Sequence, residues 1–241
     1  MKYKILAVTL FWLFFSHVSH AQFDLGKILG KAKGKNGGLS ENEIVLGLKE
    51  ALNVGISNGS AEASKVDGFF KNELIKIAVP PEAQKVAETL RKMGLGAEVD
   101  KFTLSLNRAA EDAAKKSKPI FVKAITSMTV PDALGILKGQ DDAATQYLKK
   151  STNDELFKTF FPVVDSTLKL NKATQYYADI VNTYNQIPLV KKVNPNLKEY
   201  ATQKTIDGLY VLIAQEEKKI REDPVARVSD LLKKVFSQAG K

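Results

Sequence analysis

The chain contains no cysteine, one tryptophan and two histidines. Trp12, His17 and His20 all fall within the first 21 residues. The absence of cysteine excludes disulfides, a thiolate nucleophile, a thiolate metal site and a lipid-modified cysteine after the leader. Beyond residue 21 there is no imidazole either, so a histidine base and a histidine-ligated metal are excluded there. No Gly-rich phosphate loop of the Walker or dinucleotide type occurs, and no motif calls for a cofactor. Past the leader no run approaches the roughly 18 apolar residues of a membrane span, so no transmembrane segment is expected in the mature chain. Strand-period runs, hairpin signals and internal repeats are also missing.

What is present begins with an export signal. Lys2 and Lys4 give a positive start, and Ile5 to Phe15 is apolar except for Thr9. Ser19-His20-Ala21 places small residues at −3 and −1, so cleavage is expected between Ala21 and Gln22. The expectation is export by the Sec route to the periplasm, with the extracellular side as the alternative. An uncleaved N-terminal anchor is the competing reading of the same residues. About 200 residues remain, enough to bury a core without disulfides.

The formal charge is +9, and loss of Lys2 and Lys4 with the leader leaves +7. Most lysines alternate with acids, as on a solvated surface. One stretch differs. Leu25 to Gly38 holds five glycines, the four lysines Lys27, Lys31, Lys33 and Lys35, and no acid. This composition predicts a flexible basic arm over 22–38. Such an arm makes weak contact with an anionic envelope surface or serves as a soluble spacer. Nucleic acid is not expected as a partner, because the lysines are not interleaved with stacking aromatics.

The folded domain is expected over 39–238, all-α, as one compact bundle of about nine or ten helices. Ser40-Glu41-Asn42-Glu43 is a capping box, flanked by Leu39 and Ile44 at the staple positions. That helix is expected to end at Gly55 or at Asn58-Gly59, where a turn would also carry the formal glycosylation sequon Asn58-Gly59-Ser60. Pro80-Pro81 starts a helix over 82–93, broken by Gly94 and Gly96. Val99, Phe102, Leu106, Ala109, Ala110 and Ala113 then form one apolar stripe opposite Arg108, Glu111, Asp112 and Lys115. Pro119 begins another apolar helix, and Thr129-Val130-Pro131-Asp132 opens a short one that Gly139 stops.

Asp141 is placed to cap the next helix, through Leu148. Thr152-Asn153-Asp154-Glu155 has the form of a further capping box, with Pro162 inside the helix that follows it. A tyrosine-bearing helix runs over 171–186. The longest helix is expected over 197–222, apolar on all sides at 209–214 and therefore central. Asp223-Pro224 would start the last, with Val225, Val228, Leu232, Val235 and Phe236 on one face.

The succession LSENEIVLGLKEALNVG, DGFF, LNRAAEDAA, AITSMTVPDALGILKGQDDAATQYL and DGLYVLIAQEEKKIREDPVARVSDLLKKVF resembles a bacterial family catalogued as domain of unknown function family 4197. The resemblance covers Leu39 to Phe236. It implies an exported, helical, bacterial protein and supplies no functional residue.

The remaining chemistry is thin. Ser166-x-x-Lys169 has the spacing of a serine hydrolase, but the Ser-Asp-Asn and Lys-Thr-Gly elements that accompany it are missing. Asp132, Asp141, Asp142 and Glu216 could converge on a Mg²⁺ or Ca²⁺ ion or form an acid/base pair. Against this, Asp132 and Asp141 suit helix starts, and Glu217 and Arg221 suit an i,i+4 pair. Asn107, Arg108 and Glu111 form one polar group, and Glu216, Arg221 and Arg227 another. Arginine there either grips an anionic ligand or pairs internally. Tyr147, Tyr176, Tyr177, Tyr184 and Tyr210 line an amphipathic pocket or sit hydrogen-bonded in the core.

Three functions fit: a non-enzymatic binding or interaction module for a small molecule, peptide or envelope component, an envelope-associated protein held by the basic arm, and a carboxylate-based metal-dependent hydrolase.

Overall fold

Ser40 opens the first helix as its sequence predicts. In the computed structural model the described residues are 40–170, 172–186, 188–189, 192–194 and 196–239. The leader with Ala21 and Gln22, and the basic stretch with Lys27, Lys31, Lys33 and Lys35, lie outside them. The Glu43 N–H donates to Ser40 Oγ (3.3 Å), and the Ser40 N–H donates to the Glu43 carboxylate (2.8 Å). This closes the capping box of α1, Glu41–Ser64.

The helix does not stop at Gly55 or Gly59. Both glycines are buried in α1, where a Cβ would meet Glu216 and Ile213 at 3.4–3.6 Å. They are contact points against a later helix rather than breakers, and the sequon lies in helix rather than in a turn. Asn58 Nδ2 donates to Glu216 across this contact (2.8 Å).

Residues 65–79 form turns and extended chain, with Asp67 in the left-handed region at φ 67°. A 3₁₀ turn, Pro81–Ala83, leads into α2, Gln84–Lys92. Gly94, at φ 83°, separates α2 from α3, Gly96–Ala114. Then come α4, Ser117–Thr126, and α5, Val130–Leu137. Thr129 caps α5 in a second capping box that is closed by Asp132.

α6, Ala143–Leu170, is one uninterrupted helix of 28 residues, longer than the helix over 197–222. Thr152 does not start a helix. It is buried, its hydroxyl donates to the Leu148 carbonyl (2.7 Å), and it lies 3.0 Å from the Tyr210 hydroxyl. A capping-type hydroxyl has turned inward to serve the core. Pro162 sits inside α6 on its exposed face, where the carbonyl it leaves unpaired can reach water.

α7, Ala173–Asn185, precedes α8, Leu197–Glu222. Leu209, Leu212 and Ile213 of α8 are buried while Val211 is 39% exposed, so α8 is central with one open edge. No helix starts at Asp223: its carboxylate caps the Val225 N–H within a 3₁₀ turn, Pro224–Ala226. Val225 and Val228 are exposed, and α9 begins only at Asp230, running to Ala239.

Among the described residues there are nine α-helices and no strand, an all-α fold. α8 packs on α1, α3 and α6, and α6 packs also on α3 and α4. Apart from Val99, the buried hydrophobic side chains form one contiguous cluster. α9 closes over α1, where a Cβ on Gly47 would come within 2.7 Å of Val235. No single helix among the described residues is long and apolar enough to cross a membrane.

Candidate functional site

Two polar groups of α3, Asn107 and Glu111, are turned into the core rather than to solvent. Asn107 is fully buried and Glu111 is 3% exposed. Asn107 reads the backbone of Ile77 as a neighbouring strand would. Its Oδ1 accepts from the Ile77 N–H (2.8 Å) and its Nδ2 donates to the Ile77 carbonyl (2.9 Å). Glu111 accepts from the Phe69 and Phe70 N–H groups (3.2 Å each) and from Arg108, which also donates to Asp67 (2.7 Å). Arg108 is held above its ordinary pKa, first by its hydrogen bond to Glu111. Asp67 is held below its own by hydrogen bonds from Lys71 and then Arg108. These residues clamp segment 65–79 onto α3. Phe69 is fully buried, and its ring edge would lie 2.6 Å from a Cβ on Gly208 of α8.

A second clamp lies on α8. Glu217, 7% exposed, accepts from the Ala144 and Thr145 N–H groups (2.9 Å each) and the Thr145 hydroxyl (2.8 Å). A carboxylate from α8 thus satisfies the free donors at the start of α6, the role expected of Asp141. Asp141 and Asp142 are exposed, and Asp142 accepts from Gln146. Arg221 pairs with Glu217 (2.8 Å) and donates to the Ile136 carbonyl (2.9 Å). Arg227 donates to the carbonyls of Ile220 and Arg221.

Glu216 stands apart, bonded to Asn58 and Lys219, and Asp132 serves its own capping box, which holds it below its ordinary pKa. Ser166 is exposed, and Lys169 pairs with Asp165 instead (2.7 Å). Among the described residues no three carboxylates or other ligating groups come together to hold a metal. Arg108 and Glu111 are brought together, as are Arg221 and Arg227. Asp132 and Asp142 are engaged within their own helix starts, Glu216 is bonded to Asn58 and Lys219, and Asp141 is exposed, so the four do not converge.

Beside the first clamp lies a pocket of about 630 Å³. Its walls come from three helices. α2 contributes Val86, Ala87 and Leu90, and α3 contributes Val99, Phe102, Leu104 and Ser105. α7 contributes Ala173 and Tyr177. Tyr177 stacks flat against Phe102, with ring centroids 5.8 Å apart. Burial, and then the charge of Glu82, push its phenol up to about 12, so it remains protonated at any ordinary pH.

α2 has no fully buried residue and packs chiefly on α3. The turn after it exposes Met93 and Leu95, at 69% and 44%, and Leu95 is part of the pocket wall. Sequence reasoning missed this site, although Val86, Ala87 and Leu90 form a recognisable apolar stripe on a short helix bounded by Pro81 and Gly94. Of the tyrosines, Tyr177 lines the pocket, Tyr210 bonds Thr152, and Tyr147 donates to the Ala124 carbonyl (3.3 Å). The side chains of Tyr176 and Tyr184 lie outside the described residues.

The family model described as Protein of unknown function (DUF4197) matches residues 38–237. The chain belongs to this family. No curated protein and no solved structure matches it. In this DUF4197 chain, two pairs of the segments that carry the resemblance meet in the clamps. DGFF lies on LNRAAEDAA through Glu111, and DDAATQYL lies on EEKKIRE through Glu217. Those charged residues therefore do structural work at the sites where they meet.

Proposed function

We propose that this protein is an exported, non-enzymatic binding module that carries an apolar small molecule in the pocket between α2, α3 and α7. The observation that carries the proposal is the pocket itself. At about 630 Å³ it falls within the roughly 300–1,000 Å³ range of small-molecule sites. Its lining is mostly apolar, and one wall is a short helix with no residue of its own in the core. The leader and its cleavage at Ala21-Gln22 support export. A hydrolytic alternative draws no support from the carboxylates, which do not converge among the described residues. The lysine-rich stretch supports a secondary role, retention at an anionic envelope surface.

The test is titration of the purified chain with N-phenyl-1-naphthylamine, which fluoresces in apolar surroundings. A saturable 1:1 response that is lost in Leu90→Glu, with the thermal midpoint retained, is the expected result. A non-saturable response equal in both proteins would sink the proposal.

A further inference from the structure

We infer that the cargo is a single aliphatic chain of about a dozen carbons, lying along α3 with its polar end at Leu95 and Lys101. This inference rests on the binding function proposed above and names its ligand. Three observations carry it.

The first is length. Glu98 and Arg108 both line the pocket and are ten residues apart on one helix, a span of about 15 Å. An extended chain of about twelve carbons covers that distance. The volume agrees: at roughly 30 Å³ for a water-sized group, 630 Å³ leaves room for such a chain with slack.

The second is the state of the polar lining. Ser105 Oγ donates to the Phe102 carbonyl (2.7 Å), Lys101 pairs with Glu98 (3.0 Å), and Arg108 is taken by Glu111 and Asp67. The inner wall offers no cluster of free donors or acceptors to a polar ligand, so recognition falls to apolar contact.

The third is polarity along the pocket. Ala83, Val99, Ala173 and Tyr177 are buried, whereas Leu95, Glu98 and Lys101 are exposed. The mouth is therefore at Leu95–Lys101. The Lys101–Glu98 pair there is an exposed i,i+3 contact of small worth and can open for a headgroup. Because a chain is what is recognised, a free fatty acid and a monoacyl phospholipid share the chemistry.

The experiment is displacement of N-phenyl-1-naphthylamine from the full chain. The competitors are saturated carboxylates of about eight to eighteen carbons, a monoacyl phosphocholine of about twelve, and adamantane carboxylate as a compact apolar control. Affinity is expected to rise about three- to fourfold per added methylene and to level off near twelve carbons. It should fall at least tenfold in Ala87→Trp, which fills the pocket. Val86→Trp, on the same α2 wall, is the second variant, and thermal unfolding reports whether each variant folds. If the carboxylate and the phosphocholine bind alike, the chain alone is read; if one binds far more tightly, the source is that one. Equal displacement by adamantane carboxylate with no length dependence overturns the aliphatic-chain inference and leaves the binding proposal standing. Failure of the probe itself to bind removes both.

Discussion

At the scale of single residues, the charged groups divide by what they hold. Glu217 is deeply buried with three hydrogen bonds from the start of α6 and an ion pair to Arg221, whose side chain is 13% exposed. Removing one partner strands the others. Glu217→Ala is expected to cost about 3–5 kcal/mol, read by urea unfolding. Asp141→Ala, at the position the sequence favoured for this cap, is expected to change stability by no more than about 0.5 kcal/mol.

Asp67 offers a pH test. Its folded pKa lies below the ordinary 3.8, as do those of Asp132 below 3.8 and Glu43 below 4.5. A carboxyl with a depressed folded pKa contributes fully at neutral pH, and that contribution is lost as the pH falls below about 4. Asp67→Asn keeps a residue that tolerates the left-handed backbone but removes the charge. Its urea midpoint is expected to be lower than that of the wild type at pH 7 and to converge with it in acid. A constant gap across the pH range would assign the loss to packing instead.

At the scale of elements, the glycines separate what periodicity can say from what packing decides. The capping boxes at Ser40 and Thr129 were legible because they are local: hydroxyl, spacing and carboxylate lie within four residues. Gly55, Gly59 and Thr152 misled for the opposite reason. A residue type that ends or starts helices in isolation was used where α1 and α8, or α6 and α8, come close, and only the third dimension distinguishes the two uses. The pocket was hidden likewise, because α7 reaches the neighbouring helices α2 and α3 from well downstream in the chain. The same chemistry should then give opposite signs at two positions. Gly59→Ala meets Ile213 at 3.6 Å, an ordinary contact, and is expected to stabilise by about 0.5–1 kcal/mol. Gly208→Ala meets the buried Phe69 ring at 2.6 Å and is expected to destabilise by about 1–3 kcal/mol. Thermal unfolding of the two variants side by side reads both signs.

For the whole molecule, the proposed binding and the proposed retention are separable. The proposed cargo site lies within residues 79–177, whereas the excess of lysine is concentrated at 25–38. Deleting 25–38 is expected to weaken co-sedimentation with anionic vesicles at low salt and to leave probe affinity unchanged. Loss of probe binding on deletion would tie the two functions together. The single contiguous core also predicts one cooperative unfolding transition by circular dichroism and by tyrosine fluorescence, with coincident midpoints.

The pairing of α1 with α8 and α9 sets a condition on biosynthesis. The first helix of the domain is covered partly by α3, α4 and α5 and partly by the last two helices, the latter about 150–190 residues downstream. A chain made from its N-terminus lacks part of the cover of Leu48, Leu52 and Ile56 until the end of the message has been read. Native contacts of such long sequence separation slow folding and lengthen exposure to aggregation. The nascent chain is thus kept from complete closure, which suits the proposed export in an unfolded state. It also makes the nascent chain a client for a holding chaperone, and it makes a stop codon ahead of α8 far more damaging than its distance from the pocket would suggest.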